Sequence, residues 1–169
     1  TEQPADLANK HMCGFTVTPP RGADLDQHTI RDELAEILSL GYPTALYQRP
    51  QITENEMSPR TVGELAETYQ NFYLFKDTSG ADRVAYSQES TSDVFMVRGA
   101  EGDYAHRLKA AGGSYDGFLL STANSFPREL SEVIELARAG KHREAQSLSA
   151  RIETVVTSMF GEVVSLRFG

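Results

Sequence analysis

Tryptophan is absent from the 169 residues, and cysteine occurs once, as Cys13. A lone cysteine excludes an internal disulfide framework and suits a reducing compartment, so a cytoplasmic location is expected. Cys13 itself reads as a small buried strand residue. No apolar run approaches the roughly 20 residues of a membrane-spanning helix, and the first residues do not read as a secretory signal. Positive charge is scarce: 16 Lys and Arg stand against 24 Asp and Glu, for a net charge of −8. Phosphate contacts need clustered Lys and Arg, so nucleic acid is not an expected partner. A local pocket can still hold a small anion. No Gly-x-Gly-x-x-Gly or phosphate loop follows a strand, which leaves the doubly wound nucleotide-binding fold unsupported. No Ser sits in a Gly-x-Ser-x-Gly elbow. His11, His28, His106 and His142 pair with no Cys, Asp or Glu at metal-ligand spacing, so a metal is not expected.

What is present is an ordinary soluble composition, 40% hydrophobic and 24% charged, in a chain long enough for one domain with a core. Strand-like and helix-like runs alternate. Residues 13–18 read as a strand stopped by Pro19-Pro20. Asp26 precedes a helical pattern through Ile30, Leu34, Ile37 and Leu38, ended by Gly41. Thr44 to Tyr47 is a short strand. Ser58-Pro59 opens a helix through Val62, Leu65, Ala66 and Tyr69. The strand of Lys76 follows, then a weak helical pattern at 81–88, a strand at 94–98, a helix at 103–111, and a strand at 117–122. Helices at 129–139 and 143–160 close the chain, separated by Gly140. This β-α alternation with short connections predicts a parallel sheet with helices outside it. The α/β barrel is favoured, with five strand runs where a closed barrel needs eight. Residues 1–169 are expected to form one partial barrel domain.

The most informative residue is Lys76, which ends the run Phe72-Tyr73-Leu74-Phe75 and is followed by Asp77-Thr78-Ser79-Gly80. Lysine is seldom buried without a partner. Strand alternation sends Phe72, Leu74 and Lys76 to one side and Tyr73 and Phe75 to the other. In a barrel interior that amine would stand at the mouth of a dry cavity, where desolvation favours the neutral nucleophile. The other reading is a strand-end lysine snorkelling into solvent. Polar residues collect at the other strand ends as well: Thr18, Tyr47-Gln48-Arg49, Arg98, Glu101, and Ser121 to Asn124. That is where barrels carry their chemistry.

Thr18-Pro19-Pro20, Leu46-Tyr47-Gln48-Arg49-Pro50, Phe75-Lys76-Asp77-Thr78-Ser79-Gly80 and Gly117 to Asn124 with Pro127 form an ordered set. With Gly140, Arg143, Glu144 and Ala145 behind it, the set resembles the dihydrodipicolinate synthase and N-acetylneuraminate lyase family of pyruvate-dependent class I aldolases, from about the fourth barrel strand to the eighth. There are three departures. The Gly-Thr-Thr type segment that binds the pyruvate carboxylate in the family is absent. The first barrel strands are absent with it. The C-terminal helices end early. A fragment of a larger polypeptide, or a chain needing a complementing piece, is therefore expected, since five strands would leave two bare edges.

The resemblance implies a Schiff-base lyase or aldolase without cofactor, acting on a 2-oxo acid (pyruvate) and an aldehyde, in a homodimer or homotetramer. It implies Lys76 as the imine-forming amine and Tyr47 as proton relay, with Thr78, Gly99, Glu101 and Ser121 binding substrate. Each has a plainer reading as well: Tyr47 as a barrel-mouth aromatic, Thr78 and Ser79 as helix caps, Gly99 as a turn glycine, Glu101 as a solvated acid. Asp77 and Asn124 read as structural. Arg49, Arg98 and Arg128 are candidates for subunit or substrate anions, with surface pairing the default. Two residues past Pro50, where the synthases commonly carry arginine, stands Ile52. Thr78 also departs from the synthase pattern. Both lean toward cleavage of a 2-keto-3-deoxy acid, with synthase-type condensation, or a degenerate barrel that only binds a 2-oxo acid, as alternatives.

Overall fold

Asp26 and Ser58 start the two longer helices of the first half of the molecule. Each side chain accepts a hydrogen bond from a backbone N–H three residues on, Thr29 N at 2.8 Å and Thr61 N at 3.1 Å. These are the caps that the orphaned N–H groups of a first turn require. The computed structural model describes residues 12–91 and 93–168, with side chains through Phe160. Backbone contacts divide the chain into a unit ending at Val97 and a second beginning at Arg98.

The first unit holds β1 (Phe15–Val17), α1 (Gln27–Leu38), β2 (Thr44–Gln48), the single turn α2 (Pro50–Thr53), α3 (Pro59–Thr68), β3 (Phe72–Asp77) and most of β4 (Phe95–Arg98). The strands lie in chain order, β1 beside β2 beside β3. Both pairings whose register is resolved are parallel: Val17 opposite Leu46, and Tyr47 opposite Lys76. A 12-residue helix between β1 and β2 is what a parallel crossover requires. α1 buries Ile30, Leu34 and Leu38 at helical spacing, and α3 buries Val62, Leu65 and Ala66. At the N-terminal ends of the strands, Asn71 Nδ2 donates to Leu38 O and Tyr42 O at 3.0 and 2.8 Å and fixes the loop entering β2. Beyond the C-terminal ends of β1 and β2, Gln27 Nε2 donates to Glu56 O while its Oε1 accepts from Ser58 N and Thr61 Oγ1.

The second unit holds α4 (Tyr104–Arg107), β5 (Gly117–Phe118), α5 (Pro127–Arg138) and α6 (His142–Phe168). Leu119 N donates to Arg98 O at 3.0 Å, the bond that sets β5 beside the end of β4. Tyr104, Leu108, Leu120, Leu130, Val133, Ile152 and Val156 form its core.

Several expectations need correction. Residues 81–88 form turns, because Ser79 Oγ accepts from Ala81 N and Asp82 N, and Gly80 and Asp82 both turn left-handed at φ 74° and 54°. The helix expected at 103–111 stops at Arg107, where Leu108 becomes extended (ψ 136°), and resumes only as the 3₁₀ turn Lys109–Ala111. The last strand is two residues long and gives way to a 3₁₀ turn at Ser121–Asn124. Strict alternation in β3 fails at its start. A register irregularity between Thr44 and Ala45 shifts the strand by one residue, and Phe72 and Phe75 end with ring centroids 6.5 Å apart. Cys13 is exposed rather than buried, at the entry to the outermost strand. His11 lies outside the described residues.

Candidate active site

Tyr47 and Lys76 are register partners at the C-terminal ends of β2 and β3. Register partners of a parallel pair share a face, and Lys76 Nζ stands 4.2 Å from the centroid of the Tyr47 ring. Both side chains are half-buried. Beyond Asp77 the ladder continues for one more step, with Thr78 N donating to Gln48 O at 3.0 Å. Gln51 Nε2 reaches Thr78 O from the turn after β2.

Burial pushes the Tyr47 phenol up, but hydrogen bonding to Thr78 and the charges of Lys76 and Arg49 outweigh it and leave the phenol below its ordinary value. Thr78 Oγ1 is buried and has no partner within full hydrogen-bonding geometry, although it lies close enough to act on that phenol.

The opposite face of the same two strands is closed. Gln48 and Asp77 are register partners there and are fully buried. Gln48 Oε1 accepts from Met57 N at 2.8 Å, and Asp77 Oδ1 accepts from Ser79 N at 2.8 Å. Burial raises the Asp77 carboxyl, against the lowering effect of Ser79. Asp77 thus shapes the turn behind Lys76, as its structural reading holds. Ser79 serves as a turn cap although no helix follows it.

In the second unit Glu101 and Ser121 are brought together. Glu101 Oε1 accepts from Ser121 Oγ at 3.2 Å and Thr122 N at 3.3 Å, while Oε2 accepts from Thr122 Oγ1 at 2.7 Å and Tyr104 OH at 3.0 Å. With four donors on two oxygens, Glu101 braces the loop after β4 against the turn after β5 rather than standing as a solvated acid. Burial, with the Glu101 charge adding to it, pushes the Tyr104 phenol up to about 12. Asn124 Nδ2 donates to Ser121 O at 2.9 Å and holds the same turn. Gly99 is half-buried at the start of this loop. Arg98, expected to pair at the surface, is buried and donates through Nη1 to the carbonyls of Ala100 and Gly102, each at 2.8 Å. Gly102 turns back at φ 84°, a conformation that brings those carbonyls together.

Sequence reasoning counted Thr122 and Gln48 among the polar strand-end residues but gave neither a role of its own. The adjacent hydroxyls of Ser121 and Thr122 at a strand end were the available signal for the first. A glutamine inside an otherwise apolar strand was the signal for the second. Among the described residues no group of three or more His, Cys, Asp or Glu side chains could hold a metal ion. None of their helices is long and apolar enough to cross a membrane.

The Dihydrodipicolinate synthetase family profile matches residues 10–167. The chain belongs to this family. It is 33% identical over 124 residues to a 4-hydroxy-tetrahydrodipicolinate synthase of Saccharophagus degradans, covering 73% of this chain and 42% of that one. It is 30% identical over 152 residues to the Escherichia coli protein of the same name, covering 88% and 50%. The chain thus spans about half the length of the curated relatives it matches. Among solved structures it superposes on the dihydrodipicolinate synthase of Aquifex aeolicus with a TM-score of 0.74 at 22% identity, over 93% of this chain and 54% of that one. A Sulfolobus solfataricus 2-keto-3-deoxygluconate aldolase variant gives 0.73 at 17% identity, over 86% and 48%. At those identities the structural likeness speaks for fold: the parallel sheet and its helices are part of a (β/α)8 barrel.

Proposed function

We propose that this chain carries the imine-forming half of a Schiff-base lyase or aldolase of 2-oxo acids. The observation that carries the reading is the pairing of Lys76 with Tyr47 on one face, at the C-terminal strand ends, within a chain of this family. In this reading the neutral amine of Lys76 adds to the C2 carbonyl of the 2-oxo acid, and the carbinolamine loses water to give an imine. The cationic imine withdraws the electron pair of the C3–C4 bond on cleavage, leaving an enamine and releasing an aldehyde. Condensation is the reverse. Cleavage removes a proton from the C4 hydroxyl, and condensation returns it. The Tyr47 phenol, lowered by Thr78 and the neighbouring cations, supports a relay role there. Thr78 is the candidate partner for a substrate hydroxyl, and the resemblance names Gly99, Glu101 and Ser121 as further substrate-binding candidates. For Glu101 the role is played by holding Ser121 and Thr122 in place.

Ile52 and Thr78 favour cleavage of a 2-keto-3-deoxy acid with pyruvate as product. A second reading, synthase-type condensation of pyruvate with an aldehyde, is favoured by the printed names of the relatives at 30–33% identity. Action on pyruvate and an aldehyde, assembly as a homodimer or homotetramer, and a cytoplasmic location belong to the same proposal.

The test is reductive trapping with pyruvate and borohydride, followed by intact-mass and peptide analysis. The assay is run on the full polypeptide that carries these residues. A pyruvyl adduct on Lys76, absent from Lys76→Ala, is the expected result. A folded protein without the adduct would sink the lyase reading in favour of a barrel that only binds its ligand. Turnover of aldehydes against 2-keto-3-deoxy acids then separates the two directions.

A further inference from the structure

Gln48 follows Tyr47 and Asp77 follows Lys76, so strand alternation turns both onto the face opposite the candidate catalytic pair. They are register partners of each other, and each is 0% exposed. Two residues earlier on the same face stand Leu46 and Phe75, also register partners and also fully buried. The layer that an apolar pair fills at that level is filled at the strand ends by an amide and a carboxyl. Burying polar groups is costly unless they are hydrogen-bonded.

One atom of each side chain holds the loop after its own strand. Gln48 Oε1 accepts from Met57 N at 2.8 Å, and Asp77 Oδ1 accepts from Ser79 N at 2.8 Å. The other atom of each, Gln48 Nε2 and Asp77 Oδ2, is buried without a partner in full hydrogen-bonding geometry. One is a donor and the other an acceptor, on directly opposed residues. Burial raises the Asp77 carboxyl, and Gln48 is among the groups that pull it back down, so the amide and the carboxyl lie within reach of each other. The backbone ladder ends at the same place. Gln48 O accepts from Thr78 N at 3.0 Å, after which Pro50 opens α2 and Gly80 turns left-handed at φ 74°.

We propose that Gln48 and Asp77 are positioning residues of the Lys76 site: a hydrogen bond from Gln48 Nε2 to Asp77 Oδ2 ties β2 to β3 behind Tyr47 and Lys76 and sets the 4.2 Å approach of the amine to the ring. The inference deepens the Schiff-base reading and rests on Lys76 as the imine-forming amine. Each residue acts through the neighbour it follows, not on the substrate.

The experiment uses Asp77→Asn, Gln48→Glu and the exchange Gln48→Glu/Asp77→Asn in the full polypeptide that carries these residues, with circular dichroism and melting as fold controls. Asp77→Asn sets two donors face to face, and Gln48→Glu sets two acceptors. The exchange restores one donor to one acceptor with the direction reversed. Borohydride trapping with pyruvate is measured for its limiting rate and its half-saturating concentration. A misplacement of about 1 Å at a reacting group costs up to about 10²-fold in rate, so each single variant is expected to trap about 10- to 100-fold more slowly at saturating pyruvate. The half-saturating concentration is expected to stay as in wild type, and the exchange to recover most of the rate. Single variants that melt lower but trap at the wild-type rate would make the pair merely structural and overturn the inference. A loss carried by the half-saturating concentration alone would overturn it, because the pair would then act in binding. An exchange as slow as the slower single variant would overturn it too, since no bond would join the two side chains. Where a single variant does not fold, the exchange decides on the same terms, by trapping at the wild-type rate or far below it. A folded wild type that traps no pyruvate would overturn the lyase reading and this inference with it.

Discussion

Lys76 Nζ lies over the ring of Tyr47, 4.2 Å from its centroid, on the neighbouring strand. Two functions of the tyrosine can therefore be separated: the ring, which seats the amine, and the hydroxyl, which would move a proton. Tyr47→Phe keeps the first and removes the second. Lys76 is expected still to form its borohydride-trapped adduct in this variant, while carbon–carbon turnover falls by about 10² to 10⁴, the range for a lost general acid or base. Tyr47→Leu removes both and is expected to slow trapping as well. Normal turnover in Tyr47→Phe would remove the relay from the mechanism.

The Tyr47 phenol can be read directly. Burial raises it, and Thr78, Lys76 and Arg49 more than compensate, so it should titrate below the ordinary tyrosine value of about 10. Removing a nearby positive charge disfavours the phenolate. Lys76→Met and Arg49→Leu are each expected to move the midpoint upward, as is Thr78→Val through loss of the hydroxyl. Ultraviolet difference titration, with Tyr47→Phe to assign the signal, is the measurement.

Much of this arrangement was legible before any coordinates. Asp26 and Ser58 as caps, the apolar spacing of Ile30, Leu34 and Leu38, and the Pro-bounded strand at Tyr47 are local signals, and local physics determines them. The family resemblance named Tyr47 and Lys76 separately, but their shared register was not legible, since residues 29 apart carry no local trace of it. What stayed hidden depended on partners distant in sequence. Glu101 reads as solvated until Thr122 and Tyr104 close on it. Arg98 reads as a surface charge until the loop carbonyls turn back on it. The alternation of β3 broke because a one-residue slip at Thr44/Ala45 leaves no mark in the hydrophobic pattern.

Ser58 offers a stability test remote from the chemistry. Its Oγ caps α3 through Thr61 N and also bonds Thr61 Oγ1 at 2.8 Å. Ser58→Ala is expected to lower stability by about 1 kcal/mol, a fall in Tm of roughly 2–4 °C for a chain of this size. Ser58→Gly should lose less. Thermal melts of the two variants decide it, and a wild-type Tm in Ser58→Ala would mean that water replaces the cap without loss.

Tyr104 gives the chain a distinctive alkaline limb. Its phenol is buried, donates to Glu101, and is pushed up to about 12, whereas an unfolded chain titrates tyrosine near 10. Between those values the folded state holds a proton that the unfolded state has released. The contribution is therefore complete below about pH 10 and is lost as pH rises through about 12. Tyr104→Phe removes both the hydrogen bond and the titration. At neutral pH it should be less stable than wild type by about 1–3 kcal/mol, the range for a bond to a charged acceptor. Above pH 10 the gap should narrow, because only the wild type loses this contribution. Urea unfolding at a series of pH values from 7.5 to 11.5 measures both curves. Parallel curves would show that Tyr104 titrates alike in the folded and unfolded chains, and that the Glu101 brace does not depend on its proton.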